Sequence, residues 1–537
     1  MTATLERARD GAEASAGQRP GADESYLSPG RMWFGRVLGP ALGLAVYFLL
    51  PEDDALSSAA RATAAITIVM AVWWMTEALP LAVTSLVPLV AFPLAGVLEL
   101  DAATAPYASD TVFLFLGGFV IALAMQKWNL HKRIALVVMR AVGTKPKQLI
   151  LGVMIATAFL SMWVSNTATT MMMLPIGISV LALVATRKAT QDADADGGSG
   201  PVSEMFGDKD TKNFATCMML AIAFAATIGG LATLIGSPPN LILAGFVETS
   251  YDGVTIGFAD WMKIGVPLSA TFLVIAWLLL TRVIYPTKLT DVVGGKDVIQ
   301  SELDKLGRMS RGEWTVLAVF VSTALLWVFR EPLAEWDALT SALPFVANLD
   351  DAIVAITAAI ALFLLPVSSS KGRAVMAMDW RTAQSGIPWG VLLLFGGGLS
   401  LAAAVQETKL SEYIGSKVGG FDVLPTVVMV AAVCLVILLL TELTSNTATA
   451  ATFLPVLGGV AVGMGIDPLL VLVPAAFAAT CSFMLPVGTP PNAIVFGSGY
   501  VTMGQMVRGG VWLNVVGVVL ITGAAMALGG WALGITL

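Results

Sequence analysis

Two copies of one short phrase lie inside apolar sequence, WVSNTATTMMMLP at residues 163–175 and LTSNTATAATFLP at residues 443–455. Each phrase contains the same tripeptide, Ser165-Asn166-Thr167 in the first and Ser445-Asn446-Thr447 in the second. The second tripeptide follows the first after 280 residues. A phrase repeated at this distance indicates a duplicated unit, and an internal repeat decides the architecture before other patterns do.

A second phrase follows each copy, GSPPN at residues 236–240 and GTPPN at residues 488–492. Its copies are 252 residues apart, because the first copy carries a polar insert at 187–212 that the second lacks. One duplication with one insertion explains both distances. The chain therefore divides into repeat one, residues 61–311, and repeat two, residues 312–537.

The composition is typical of a membrane protein. Of the 537 residues, 57% are hydrophobic and 12% are charged, whereas a soluble chain averages about 25% charged residues. Apolar runs of about 20 residues recur, which is the length that crosses a bilayer as a helix. The sequence predicts an all-α polytopic membrane protein with about eleven transmembrane helices. Membrane lipid is therefore an expected partner, and nucleic acid is not.

Lys and Arg concentrate in short cytoplasmic loops, and this bias assigns the sides of the membrane. Residues 1–35 are polar and predict a disordered cytoplasmic tail, followed by a first transmembrane helix at 36–60. The segment from Lys127 to Lys147 contains basic residues and no acid, so it lies inside. Counting onward places the C-terminus outside and gives equivalent segments opposite orientations. The repeat is therefore predicted to be inverted.

Residues 148–186 contain no charged residue and carry the first tripeptide near their middle. Basic residues flank both ends, so the segment forms either two full spans or a re-entrant hairpin. A hairpin is favoured because the polar tripeptide then falls at the turn, and 423–466 is its equivalent. Two broken helices, 213–246 and 468–497, contain the Pro-Pro phrases, since adjacent prolines interrupt a helix. The insert 187–212 is typical of a flexible cytoplasmic loop.

The helix ends at these turns suit an anion and a cation together. The N-terminus of a half-helix carries partial positive charge, while unwound carbonyls coordinate Na⁺. Neither the hairpins nor the broken helices contain Lys or Arg, and a buried carboxylate without a partner is costly. We therefore expect Na⁺-coupled anion transport, with the cation binding before or together with the anion.

These phrases, with the run CSFMLPVGTPPNAIVFGSG at residues 481–499, resemble the divalent anion/sodium symporter family, the INDY-type dicarboxylate transporters. The resemblance covers residues 35–537. It implies a homodimer in the cytoplasmic membrane, in which a transport part moves against a scaffold part by an elevator motion. It also implies symport of Na⁺ with C4-dicarboxylates such as succinate, fumarate or malate.

The resemblance also implies the site residues. The substrate carboxylates would meet the two tripeptides and the residues at the two breaks, namely Ser165, Asn166, Thr167, Ser237, Pro238, Ser445, Asn446, Thr447, Thr489 and Pro490. The sodium ligands would be Ser161, Ser165, Asn166 and Gly236 at a first site, and Thr441, Thr444, Asn446 and Gly488 at a second. Ser237 stands where the family often has Thr, and this smaller side chain is expected to alter size selection.

Alternatives stay open. The same fold could transport a tricarboxylate or sulfate with Na⁺, or exchange dicarboxylates, and a channel is disfavoured because occluding hairpins suit alternating access. An enzyme is not expected, because the single histidine, His131, lies among basic residues and the three cysteines lack the spacing of a disulfide or metal site. Glu442 is the only charge in the second hairpin and corresponds to Met162. A structural role is therefore favoured for Glu442 over contact with the cargo.

Overall fold

The computed structural model describes residues 29–52, 56–143, 145–191, 209–251, 253–287, 289, 295–370, 373–417 and 425–536. Most of the predicted tail and most of the insert 187–212 lie outside the described residues.

The described chain is almost entirely helical. The helices of its first part are α1 Pro29–Leu49, α2 Ser58–Thr76, α3 Leu81–Thr84, α4 Val87–Leu94, α5 Leu100–Thr104, α6 Asp110–Lys127, α7 Leu130–Val142, α8 Pro146–Ser161, α9 Asn166–Gln191, α10 Lys209–Gly229, α11 Pro238–Ser250, α12 Phe258–Leu278 and α13 Gly295–Leu306. Those of its second part are α14 Arg311–Ala334, α15 Asp337–Ala342, α16 Asp351–Leu364, α17 Trp380–Gly386, α18 Trp389–Glu407, α19 Leu410–Lys417, α20 Thr426–Leu443, α21 Asn446–Gly463, α22 Leu469–Thr480, α23 Pro490–Gly497 and α24 Met503–Leu533. Short 3₁₀ segments occupy Ala105–Ala108, Leu234–Gly236 and Pro344–Asn348, and a π-helical segment occupies Leu279–Ile284.

Ten helices in the described part of the chain are long and apolar enough to cross a membrane. This agrees with the prediction of an all-α polytopic membrane protein. Where the sequence predicts a first transmembrane helix at 36–60, α1 spans Pro29–Leu49. The described residues also include one antiparallel pair of strands, β1 Pro366–Ser370 and β2 Arg373–Met376, which the sequence analysis does not predict.

Both tripeptides lie at sharp turns between two helices. The first turn joins α8 to α9, and the second joins α20 to α21, with Asn166 and Asn446 as the first residues of α9 and α21. Each following segment is broken at its Pro-Pro phrase: α10 ends at Gly229 before α11 begins at Pro238, and α22 ends at Thr480 before α23 begins at Pro490. The duplicated phrases therefore fold into the same two local structures in each half.

The helices that precede the breaks form the centre of the molecule. Every residue of α10 from Phe214 to Gly229 is buried, and so is every residue of α22. Interrupted backbone at membrane depth is tolerated only where protein or a water-filled cavity surrounds it. The burial of α10 and α22 meets that requirement. The three cysteines, Cys217, Cys434 and Cys481, are also buried in this region and are free thiols.

Candidate functional site

The first tip is organised around the amide of Asn166. With its nitrogen facing the surrounding acceptors, the amide lies 2.5 Å from the Ser161 hydroxyl, 3.2 Å from the Gly236 carbonyl oxygen and 3.1 Å from the Ala226 carbonyl oxygen. Asn166 therefore joins the end of α8, the end of α10 and the 3₁₀ turn before α11. Three of the four residues predicted for the first sodium site, Ser161, Asn166 and Gly236, lie together here.

The second tip repeats this arrangement with Asn446. The Asn446 amide oxygen lies 2.7 Å from the Thr441 hydroxyl, which is also 2.8 Å from the Ala479 carbonyl oxygen. The Asn446 amide nitrogen donates to the Thr480 carbonyl oxygen at 3.0 Å. Ser161 and Thr441 occupy equivalent positions in the two repeats, and each supplies a hydroxyl to the asparagine of its own tip.

Each break is held by the asparagine of its Pro-Pro phrase. The Asn240 side chain donates to the carbonyl oxygens of Gly230 (2.9 Å) and Thr233 (2.8 Å). The Asn492 side chain donates to the carbonyl oxygens of Ser482 (3.2 Å) and Leu485 (3.0 Å). A buried carbonyl without a donor is costly, so these two amides stabilise the unwound backbone in the same way in each repeat. All of these acceptors are related by the 252-residue offset.

Glycine is required at both breaks because the backbone passes close to its neighbours. A Cβ on Gly236 would lie 2.7 Å from the Gly230 carbonyl oxygen, and one on Gly488 would lie 1.9 Å from the Ser482 hydroxyl. Both distances are shorter than any side chain tolerates. The obstacle is backbone in the first copy and a side chain in the second.

The two repeats meet at the breaks. The Thr480 hydroxyl, at the end of α22, lies 3.2 Å from the Ser237 hydroxyl at the start of α11. In addition, α11 packs against α21, and α9 packs against α23. These contacts bring the two breaks together, with helix N-termini that favour an anion and helix C-terminal carbonyls that favour a cation in the same part of the molecule.

The remaining residues that are predicted to bind substrate differ in burial. Ser237 and Thr489 are buried at the starts of α11 and α23, and the Thr489 hydroxyl accepts from the backbone N–H of Asn492 at 3.4 Å. The other predicted substrate residues are half-buried or exposed, namely Ser165, Thr167, Pro238, Ser445, Thr447 and Pro490.

Two predicted sodium ligands have hydroxyls engaged elsewhere. The Ser165 hydroxyl accepts from the backbone N–H of Ala168 at 3.3 Å, as a helix cap does. The Thr444 hydroxyl lies 2.9 Å from the Leu440 carbonyl oxygen and 2.7 Å from the Thr449 hydroxyl. A role for Thr444 in cation binding would therefore use its backbone carbonyl.

Glu442 is buried beside the second break, with 2% of its surface exposed. Its carboxylate accepts from the backbone N–H groups of three consecutive residues at 2.8 to 3.1 Å, from the Ser482 hydroxyl at 2.9 Å and from the Asn514 amide at 2.8 Å; the three are Phe483, Met484 and Leu485. These donors occupy both carboxylate oxygens. Glu442 therefore anchors the unwound segment between α22 and α23, which is the structural role that the sequence favours.

A cavity of about 280 Å³ lies beside the first hairpin, between α6, α7 and α9. Its lining includes Gln126, His131, Thr169 and Met171. His131 Nδ1 lies 2.9 Å from the Met125 carbonyl oxygen, and burial lowers the pKa of His131 below its ordinary value. In the described part of the chain, no group of three or more His, Cys, Asp or Glu residues could hold a metal ion.

The family model described as "Sodium:sulfate symporter transmembrane region" matches residues 32–535. The chain belongs to the divalent anion/sodium symporter family. Two sodium-dependent dicarboxylate transporters named SdcS, from Staphylococcus saprophyticus and Staphylococcus aureus, are each 41% identical to it, over 488 and 490 residues. Those alignments cover 91% of this chain and 89% of each relative.

One solved structure, the YdaH transporter of Alcanivorax borkumensis, has a similar fold. It aligns with a TM-score of 0.51 over 94% of this chain and 98% of that chain, at 12% sequence identity. This family member therefore shares an overall fold with a transporter whose sequence is very different.

Proposed function

We propose that this chain carries out sodium-coupled symport of C4-dicarboxylates, such as succinate, fumarate and malate, across the cytoplasmic membrane. The observation that carries the proposal is the pair of equivalent tips, in which Asn166 and Asn446 each join a hydroxyl to the backbone of a broken helix. The relatives named as sodium-dependent dicarboxylate transporters support it.

The electrostatics explain the coupling. Residues 148–186, 213–246, 423–466 and 468–497 contain no Lys or Arg, so a dianion entering between the tips would meet helix N-termini, amides and hydroxyls. The helix N-termini offset part of the free-energy cost of removing two carboxylates from water. Any buried negative charge that is left without compensation remains costly. Na⁺ ions held by the oxygen atoms at the two tips would supply the missing positive charge. Cation binding before or together with the anion follows from this requirement.

The two hairpins differ in exposure, which supports alternating access. Met171 of α9 is 55% exposed, whereas its equivalent in α21, Ala451, is 1% exposed. Likewise, Pro175 is exposed and Pro455 is buried. The first hairpin also borders the 280 Å³ cavity, while α21 packs against α2 and α19. In this proposal the side of the site at the second hairpin is closed, and the side at the first hairpin is open.

We assign the accessible side to the cytoplasm, because it lies beside the basic helix α7. In this proposal the hairpins are re-entrant, the repeats are inverted, the N-terminus is cytoplasmic and the C-terminus is outside. The hairpins and broken helices form a transport part that moves as an elevator against a scaffold formed by the remaining helices. The active form is a homodimer in membrane lipid.

The test is uptake by the purified protein in liposomes. We expect labelled succinate to accumulate when an inward Na⁺ gradient is imposed, and not when choline replaces Na⁺. Unlabelled malate and fumarate should compete, whereas sulfate and citrate should not. Accumulation of sulfate or citrate instead would assign the chain to another substrate class. Uptake that requires internal dicarboxylate and ignores Na⁺ would establish exchange, and would contradict the proposal.

A further inference from the structure

Thr480 is a residue that the sequence analysis does not single out, and it contacts the functional regions of both repeats. It is fully buried at the end of α22. Its carbonyl oxygen accepts from the Asn446 amide at 3.0 Å, and its hydroxyl lies 3.2 Å from the Ser237 hydroxyl. One residue therefore joins the tip of repeat two to the break of repeat one.

Repeat one lacks a hydroxyl at the position that would make the equivalent contact with repeat two. The position equivalent to Thr480 at the 252-residue offset is Ile228, which has no hydroxyl. The Ile228 carbonyl oxygen accepts instead from the Ser269 hydroxyl at 2.8 Å. The two repeats are therefore linked at their breaks by a polar contact that only repeat two provides.

We infer that Thr480 is a positioning residue that couples Na⁺ binding at the second tip to dicarboxylate binding at the first break. The inference rests on the proposed function. Na⁺ on the Asn446 oxygen fixes the orientation of the amide, and the amide nitrogen then holds the Thr480 carbonyl. The Thr480 hydroxyl in turn fixes Ser237 at the first turn of α11, where a substrate carboxylate would bind.

A purely local role makes a different prediction. The Thr480 hydroxyl also lies 3.3 Å from the Ala476 carbonyl oxygen in its own helix. If it served only that helix, removing it would change stability and leave the dependence of succinate affinity on Na⁺ unaltered. Coupling between two ligands is a free energy that each exerts on the other, and it can be measured separately from stability.

The experiment measures the dissociation constant of succinate for the purified full-length protein at low and at saturating Na⁺. The ratio of these two constants is the affinity ratio, and it gives the Na⁺-induced gain in succinate affinity. We compare Thr480→Val, which keeps the shape and removes the hydroxyl, with Thr480→Ser, which keeps the hydroxyl. Losing one buried hydrogen bond should reduce the Na⁺-induced gain in affinity about 3- to 10-fold in Thr480→Val. Thr480→Ser should keep the gain within about twofold.

Thr452→Val is the matched control. Thr452 is a buried threonine of α21 whose hydroxyl has no hydrogen-bond partner among the described residues. Its replacement should leave the affinity ratio unchanged. Ser237→Ala removes the other hydroxyl of the pair, and the double variant Ser237→Ala with Thr480→Val should lose no more coupling than the more affected single variant.

The outcomes separate the two proposals. If the unaltered protein shows no Na⁺-dependent succinate binding, the proposed function fails, and this inference fails with it. If the unaltered protein shows it and Thr480→Val shows the same ratio, only this inference is wrong. Additive losses in the double variant, or equal losses in Thr480→Ser and Thr480→Val, would also overturn it.

Discussion

The two tips are alike in the groups that would meet the cargo and different in the groups that support them. In both, an asparagine joins a hydroxyl to the backbone of a broken helix. Behind the second tip, the Glu442 carboxylate accepts five donors. Behind the first, Met162 stands at the equivalent position, and its carbonyl oxygen accepts from the Thr233 hydroxyl at 2.5 Å. The two repeats therefore share the asparagine at the tip, whereas the residues and contacts behind the tip differ.

A second difference concerns the hydroxyls that face inside each hairpin. Thr449 pairs with Thr444 in the second hairpin. In the first, Val164 replaces that threonine, and the buried hydroxyl of Thr169 has no partner in the part of the chain that the structure describes. Thr169 lines the cavity beside α9. The first hairpin, which lacks this threonine pair, is thus also the one that borders the cavity.

The largest effect is expected from removing the asparagine that both tips share. Asn166→Ala and Asn446→Ala should each lower Na⁺-driven succinate uptake by about 100-fold, because each removes a proposed cation ligand and leaves backbone carbonyl groups of a broken helix without their donor. Asn213→Ala is the control, since the Asn213 side chain lies away from both tips and donates to the Pro286 carbonyl oxygen at 2.8 Å. Uptake near the unaltered level in either tip variant, with normal expression, would contradict the site.

The glycines at the breaks should distinguish the two copies. Gly236→Ala and Gly488→Ala should both impair uptake, because overpacking of this severity costs about 1–3 kcal/mol or more. Ser482→Gly should restore much of the activity of Gly488→Ala, since the Ser482 side chain is its obstacle. No side-chain change should restore Gly236→Ala, whose obstacle is the Gly230 carbonyl. Failure of Ser482→Gly to improve uptake by Gly488→Ala would contradict this account.

The smallest effect is expected from changing the residues that lie behind the tips, Glu442 in repeat two and Met162 in repeat one. Glu442→Gln leaves several N–H groups without a full acceptor, and should lower the thermal midpoint of the detergent-purified protein by about 5 °C. Met162→Leu, the matched change in repeat one, should shift the midpoint by about 1 °C or less. Equal midpoints for Glu442→Gln and the unaltered protein would show that the carboxylate does not stabilise the break.

The parts of the fold that repeat could be predicted from the sequence. The tripeptides and Pro-Pro phrases recur at fixed offsets, and they locate the two turns and the two breaks. The same offsets pair Asn240 with Asn492, so the repeat also indicates that these two asparagines have the same role. The sequence analysis assigns them none, and the structure shows that each donates to carbonyl oxygens of its break.

The parts that do not repeat could not be predicted in this way. Thr480 matches Ile228, so the repeat gives no signal for it, and its contact with Ser237 joins residues 243 positions apart. The strands β1 and β2 form in a short polar connection, where neither helical period nor apolar length indicates a structure. Glu442 also accepts a hydrogen bond from Asn514 of α24, and no local sequence pattern connects Asn514 to the second hairpin.

The burial of all three cysteines gives the protein a practical property. Thiol reagents in solution react with accessible thiolates, and burial raises the barrier to that reaction. The natural chain should therefore give little background labelling, and a single cysteine introduced at Met171 or Ala451 would report from α9 or α21 alone. The rate of maleimide attachment at these two positions would then follow which entrance is open as Na⁺ and succinate are added.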